Sequence, residues 1–310
     1  MACFLYLMEI GVDKRKIELW HHDVDGEEGS NLMDWPVTKD YCRKFAQAFN
    51  VPIYFSWRIG GFEAEMLREN RKTNPVKFEV PGGEVHQAGG KGGKESTRMK
   101  FPQVSADLSV RWCSAYLKID VGSLAINNQE RFSTPIQTEK GPRVPRILVL
   151  SGERAQESTA RAKYKTFEPD RCNGKKRTVS RWRPIHSWDE ERVWDIISKY
   201  RVVPHPAYYL GWGRLSCKTC IFGSPNQWAS CREIDPEGFK KIADYEKQFE
   251  KTIHRSKTVD ELADKGTPYN MPEKLKKLAM SKEYNVPIIV PRGKKWKQPA
   301  GAFGESNGPT

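Results

Sequence analysis

The sequence predicts an α/β fold with a mostly parallel sheet, continued by a helical, cysteine-containing C-terminal part. Three observations predict it. Ile147–Leu150 is a short, wholly apolar, partly β-branched run that stops at Ser151-Gly152, the pattern of a strand buried on both faces of a parallel sheet. Helical and strand patterns alternate from Met1 to Phe55, as they do in βαβ units. Beyond Cys231 the apolar spacing is helical and the charge is basic.

Taken in order, Met1–Gly11 is apolar almost all round through Phe4, Leu5, Leu7, Met8 and Ile10 and ends at a glycine, which predicts a buried helix. Ile17–His22 follows as a strand whose end carries Asp23, Asp25 and Gly26. Val37, Tyr41, Phe45, Ala48 and Phe49 fall near helical spacing within Pro36–Phe49, and Val51–Phe55 reads as the next strand. Residues 81–97 are rich in Gly and Lys, too flexible for a regular element. With Arg98 and Lys100 they are either a solvated linker or a loop that closes over an anion. A helix opens at Arg111–Lys118, and residues 162–183 read as basic and irregular. Ser187 is the expected N-cap of a helix whose buried stripe is Val193, Trp194 and Ile197. Phe239–Phe249, Thr258–Leu262 and Met271–Met280 are expected helices, and Pro287–Thr310 an expected disordered tail.

The chain has 310 residues, 38% of them hydrophobic, enough for one large α/β domain with an appended part or for two domains. Lys and Arg number 52 against 39 Asp and Glu, a formal charge of +13, with a pI near 9.3. Such a chain favours polyanionic partners such as nucleic acid or nucleotides. No apolar run approaches the roughly eighteen residues of a membrane span, and Met1–Gly11 lacks a basic leader and a small-residue cleavage site. The expectation is a cytoplasmic protein without a membrane partner, with a homo-oligomer left open. Seven cysteines without disulfide-scaffold spacing suggest reduced thiols or metal ligands.

Two stretches carry chemistry. Beyond the strand at Ile147–Leu150, where ligands of open parallel sheets sit, lie Gly152, Arg154, Glu157, Ser158 and Arg161. Glycine permits close backbone approach, serine donates a hydroxyl, and two guanidiniums grip an anion by bidentate bonds. The stretch is either a phosphate or sulfate site or a solvated turn whose Glu and Arg pair with each other. The second is Cys217-x-x-Cys220, with Cys231 downstream and Cys113 upstream. This spacing suits one metal or cluster, and equally a redox dithiol or buried structural thiols. Cys3, Cys42 and Cys172 read as core, helix and loop thiols.

These stretches resemble the phosphoadenosine phosphosulfate (PAPS) reductase family of the PP-loop, adenine nucleotide α-hydrolase-like superfamily. Ser151-Gly-Glu-Arg154-Ala-Gln-Glu157-Ser158-Thr-Ala-Arg161 is similar to the family's anion motif, Cys113 to Lys118 to its Cys-x-x-x-Leu-Lys helix, Pro184 to Trp194 to its Val-Trp helix, and Gly211 to Cys220 to its Cys-x-x-Cys segment. The resemblance covers roughly residues 1–230. It implies a doubly wound sheet over residues 1–230; beyond it the residue pattern gives a helical extension over 231–285 and a basic, disordered tail over 286–310. It implies adenosine contacts near Asp23, Asp25 and Gly26, and a phosphate or phosphosulfate held by Gly152, Arg154, Glu157, Ser158 and Arg161. It also implies a [4Fe-4S] cluster on Cys113, Cys217 and Cys220, with Cys231 in place of the adjacent cysteine that Trp112 replaces, and ATP, PAPS or adenosine phosphosulfate as nucleotide.

Two departures shape the expectation. The family's Ser-Gly-Gly-Lys-Asp-Ser loop should lie immediately before a segment like Met1-Ala2-Cys3. The expectation is therefore that Met1 is internal to a longer protein, the alternative being a form that has lost nucleotide chemistry. No cysteine follows Cys231, whereas the family's reductases use a C-terminal cysteine nucleophile, and no residue is assigned as catalytic. The expected activity is sulfur transfer or reduction from an adenine nucleotide, including sulfur delivery to nucleic acid as in DNA phosphorothioation proteins. The alternatives are an inactive nucleotide-binding module and a nucleic-acid-binding protein.

Overall fold

In the computed structural model, which describes residues 1–105, 107–215 and 217–304, the strands form two separate sheets. The first contains β1 (Leu19–Asp23), β2 (Ile53–Arg58), β3 (Val76–Glu79) and β4 (Val85–Ala88) in that order. β1 is parallel to β2, and the two remaining pairs are antiparallel. In the second sheet β7 (Thr178–Trp182) lies between β5 (Arg146–Leu150), its parallel partner, and β6 (Phe167–Pro169), its antiparallel one.

The fold is therefore mixed α/β with one parallel pair in each sheet, and the single, mostly parallel sheet expected from the sequence is corrected. β5 is a sheet edge with Leu148 46% exposed, so its apolar run is covered on one side only. Its partner β7, and β6 on the far side of β7, lie in the basic 162–183 segment, where charge masks the strand pattern. β4 lies in the Gly-rich segment, paired to β3 through a turn with Gly82 and Gly83 at φ of 100° and 86°, conformations that favour glycine. Trp20 of β1 and Ile147 and Val149 of β5 share an apolar cluster with Ile126, Cys172 and Val179. The two edge strands thus meet across a small apolar seam.

The helices follow the predicted periodicities closely. α1 (Ala2–Glu9) buries Phe4, Leu5 and Leu7. Phe4 packs edge-on against Phe45 and Phe49 of α2 (Thr38–Phe49) at 5.7 and 5.2 Å between ring centres, a favoured aromatic geometry. α2 stops at Asn50, left-handed at φ 52°. α3 (Gly61–Met66) follows β2. α4 (Trp112–Ser114) runs through a π-helical turn at Ala115–Ile119 into α5 (Asp120–Asn127). Such turns often occur at functional sites. After β5 come the single turn α6 (Thr159–Ala162) and α7 (Glu190–Lys199). The N-cap of α7 is Asp189, which accepts from the Arg192 amide at 2.8 Å, so the Ser187 cap is corrected: Ser187 lies two residues too early to reach those amides.

α8 (Pro206–Tyr209), α9 (Pro225–Ile234), α10 (Pro236–Phe249), α11 (Val259–Lys265) and α12 (Glu273–Met280) complete the chain. α9 spans the expected 230/231 division, and one buried cluster runs from Ala2 to Ile288. Residues 288–304, expected to be disordered, are docked instead. Ile289 bridges Val202, the Trp296 indole donates to the Val202 carbonyl at 2.7 Å, and the Gly301 amide donates to the Tyr208 carbonyl at 2.7 Å. The rest of the expected tail, 305–310, lies outside the described residues, as does Ser216.

Candidate functional site

The loop after β5 is built from charges that answer one another. The Ser151 hydroxyl donates to Glu153 at 3.0 Å, and Glu153 also accepts from Arg183 at 2.7 Å. Glu157 is paired with Arg161 and stands 3.6 Å from Arg154, whose guanidinium also donates to Gln156 at 2.6 Å. The Ser158 hydroxyl accepts from the Arg161 amide at 3.2 Å and so caps α6. Gly152 lies against α1: a Cβ there would stand 3.5 Å from Cys3 Sγ, an ordinary contact. Burial, together with the charges of Arg214 and Arg111, holds the Arg161 pKa below its usual value.

The end of β1 is a carboxylate-stapled loop. Asp23 accepts from the amides of Asp25 and Gly26 at 3.0 and 3.1 Å. Asp25 is buried and accepts from the amides of Met33 and Asp34 at 3.0 and 2.7 Å. Burial raises its pKa well above the usual carboxylate range. Gly26 has φ of 73°, and a Cβ there would come within 3.0 Å of the Arg58 carbonyl, so only glycine fits. The two acids shape the loop, and Asp34, at its far end, projects its charge onto Lys118.

The cysteines converge around that lysine. Cys113, Cys217 and Cys220 lie within electrostatic reach of one another, and all three act on Lys118. Burial pushes the Cys113 thiol up and the Cys217 thiol far up, while Lys118 pulls both down. Burial works against the Lys118 charge but is outweighed by Cys217, Cys113, Asp34 and Cys220, so its pKa is raised. The centre of the Cys-x-x-Cys loop is pinned inward. The Lys218 amide donates to the Met33 carbonyl at 2.6 Å, its ammonium donates to the Asn31 carbonyl at 3.1 Å and pairs with Asp235, and the Thr219 hydroxyl donates to the Leu32 carbonyl at 2.7 Å. Cys231, on α9, is buried and donates to the Lys218 carbonyl at 3.1 Å. Among the described residues no three Cys, His, Asp or Glu side chains are grouped closely enough to hold a single metal ion. The donor set is nevertheless one of soft sulfur ligands, which suits iron-sulfur chemistry.

Arg111 joins the two regions. Its charge acts on both Cys113 and Arg161. It is 8% exposed, and its Nε and Nη1 have no hydrogen-bond partner among the described residues. The sequence reading assigned no role to Arg111, Lys118, Lys218 or Arg214; the available signal was that each stands within five residues of a motif cysteine. The Gly-rich loop lines a cavity of about 300 Å³ with Arg58, Arg68, Tyr116 and Asp120. Both guanidiniums there already donate to carbonyls, Arg58 to Tyr116 and Arg68 to Arg71 and Ser96.

Residues 123–222 match the phosphoadenosine phosphosulfate reductase domain. The PAPS reductase match holds β5, the Ser151–Arg161 loop, α7 and the Cys217/Cys220 pair; Asp23, Asp25, Gly26, Cys113 and Cys231 lie outside it. The chain is also similar to an uncharacterised 37.8 kDa protein in the gpa 5' region of Escherichia phage 186, 30% identical over 148 residues. That alignment covers 48% of this chain and 40% of the phage protein. No solved structure matches. Among the described residues no helix is long and apolar enough to cross a membrane.

Proposed function

We propose that the protein binds an adenine nucleotide or sulfonucleotide (ATP, PAPS or adenosine phosphosulfate) and uses it in sulfur transfer or reduction, in a reducing, cytoplasmic setting that suits its seven free thiols. One observation supports the reading: residues 123–222, which hold the arginine loop and the Cys217/Cys220 pair, match the PAPS reductase domain, and the charges of Arg111 and Lys118 reach Arg161 and the thiols of Cys113 and Cys217. In this reading Cys113, Cys217 and Cys220 hold a [4Fe-4S] cluster, and Cys231, bonded to the Lys218 carbonyl, positions their loop. Bound there, a cluster supplies electron transfer or polarisation of a nearby oxyanion. Lys118 stabilises the thiolates as a fixed cation, and Arg154 and Arg161, oriented by Glu157, grip the phosphate or phosphosulfate. Asp23, Asp25 and Gly26 shape the loop on which the adenosine rests.

The test is equilibrium binding and turnover of ATP, PAPS and adenosine phosphosulfate by the anaerobically prepared protein. Saturable binding that Arg154→Gln weakens about tenfold or more, the scale of one lost charge-assisted bond, supports the reading. Absence of binding to all three rejects it. The charge of +13 favours a second reading for the sulfur acceptor, namely nucleic acid. Steep salt dependence of DNA or RNA binding, from counterion release, is its signature.

A further inference from the structure

We infer that the cavity beneath the Gly-rich segment is a binding site for the phosphate group of a small phosphorylated molecule, separate from the Ser151–Arg161 loop. Its walls are the end of β2, the segment after α3, the Gly90–Ser96 turn and the π-helical turn leading into α5. Among the described residues none of the arginine loop lines it.

The charge balance there calls for an anion. Arg58 is 4% exposed, and its Nε and Nη1 donate to the carbonyls of Tyr116 and Asn74 at 3.0 and 2.5 Å, acceptors that carry no net charge. Burial, helped by the charge of Arg68, holds its pKa below the usual arginine value against the pull of Glu65 and Asp120. Arg68, 6% exposed, shares the Glu65 carboxylate with Arg98, at 3.2 and 2.8 Å. Asp120 stands 3.3 Å from the solvent-facing Arg171. Two carboxylates, Glu65 and Asp120, thus serve the guanidiniums of Arg58, Arg68, Arg98 and Arg171, and Lys94 adds a further cation to the wall. A buried cation among neutral acceptors and like charges is costly. A dianion set against Arg58, Arg68 and Lys94 offsets that excess.

The cavity also has the room and the donors. Its volume of about 300 Å³ lies at the lower end of small-ligand pockets. Thr73, Ser96 and Tyr116 bring hydroxyls to the lining, and the Ser96 hydroxyl accepts from Arg68, so its own proton remains to donate. The glycine turn shapes the opening. Gly90 has φ of 77°, and a Cβ there would come within 2.8 Å of the Pro75 ring, whereas a Cβ at Gly92 or Gly93 would meet nothing within 4 Å. The turn is therefore pressed down at one end and open at the other. A guanidinium fork matches two oxygens of a tetrahedral oxyanion. A terminal phosphate can enter such a cavity, while the internal phosphates of a nucleic acid need a groove that tracks the strand.

The experiment titrates the full chain by calorimetry, at constant ionic strength, with inorganic phosphate, ribose 5-phosphate, ribose and an oligonucleotide without terminal phosphates. Saturable binding of inorganic phosphate and ribose 5-phosphate, and none of ribose, is the expected result. Gly92→Asp places a carboxylate in open space at a position without positive φ, and it should weaken both phosphates about tenfold or more. The neutral Gly92→Asn should leave most of that binding. Lys94→Gln and Arg58→Gln should weaken both phosphates as well. Gly92 and Lys94 are exposed, which keeps the test decisive if Arg58→Gln fails to fold. Phosphate binding that is absent in the wild type, or indifferent to Gly92→Asp and Lys94→Gln, overturns the site. Binding that is lost in Arg154→Gln but untouched by the cavity variants overturns it too, and leaves the nucleotide reading standing. Binding lost in the cavity variants upholds the site whatever becomes of that reading. Displacement of ribose 5-phosphate by the oligonucleotide would overturn the small-molecule assignment in favour of a nucleic-acid backbone.

Discussion

Cys231 Sγ donates to the Lys218 carbonyl at 3.1 Å, so the cysteine downstream of the Cys-x-x-Cys pair is spent on the loop's own backbone. The same carbonyl is approached by the Trp212 indole and the Gln227 amide, each at 3.3 Å. Cys231 therefore helps to hold the loop that presents Cys217 and Cys220. That separates a positioning thiol from the three that surround Lys118.

Iron content distinguishes these roles. Anaerobically purified protein should carry about four iron and four sulfide per chain, with broad absorbance near 400 nm. Cys113→Ser, Cys217→Ser and Cys220→Ser should each lose most of the iron. Cys231→Ala should keep it while losing about 1–2 kcal/mol of stability from a small buried void and one lost donor to the Lys218 carbonyl. Iron loss in Cys231→Ala equal to that in Cys217→Ser would instead make Cys231 a ligand.

The Lys218–Asp235 pair should dominate the stability of the loop. Its lysine is 0% exposed, and removing one member of a buried pair costs about 3–5 kcal/mol because the other charge is stranded. Lys218→Met and Asp235→Asn should each lower the urea midpoint strongly, and the double variant should lose clearly less than the sum. Additive losses would show that the pair is not coupled.

Buried neutral histidines set an acid limit. His205 is 0% exposed, its Nδ1 accepts from the Ala207 amide at 3.2 Å, and burial, with His21 nearby, lowers its pKa to about 3. His22 is likewise lowered to about 3 by burial, His21 and Lys118. Between roughly pH 6.5 and 3 the unfolded chain binds protons that the folded one refuses at these two sites, so their contribution to stability is full above about 6.5 and falls as pH drops, by about 1.4 kcal/mol per pH unit for each histidine. His205→Asn, which can keep the cap, should be less steep by about one proton in the pH dependence of unfolding. An unchanged slope would mean that His205 protonates in the folded state.

Truncation after Val286 tests the docked tail. Removing residues 287–310 takes the Trp296 indole from Val202 and Gly301 from Tyr208, and the melting temperature should fall by several degrees, at about 2–4 °C per kcal/mol for a chain of this size class or larger. No change would restore the disordered tail that the composition predicts.

Much of the local structure was legible in the sequence. Helical spacing located α1, α2, α7 and α10 to within a few residues, because an amphipathic stripe is a property of neighbours along the chain. The Ser151–Arg161 motif and the Cys217/Cys220 pair were legible for the same reason: their chemistry is carried by contiguous residues. The strands of the second sheet were less so. β7 sits centrally in that sheet, yet its run Thr-Val-Ser-Arg-Trp follows a Lys- and Arg-rich segment, and strand pairing, not local pattern, makes it a strand.

By itself, then, the sequence determined the element types, the PAPS-reductase-like motifs and the basic charge, all readable over short windows. Only the tertiary structure decided that the strands form two sheets, that Glu157 is shared between Arg154 and Arg161, that Lys218 is buried against Asn31 some 187 residues away, and that Arg111 is a buried cation whose Nε and Nη1 find no acceptor among the described residues. Each depends on which distant groups share a low-dielectric interior, where an ion must find a partner or remain unsatisfied. That choice is made when remote segments pack, and no local stretch of sequence contains it.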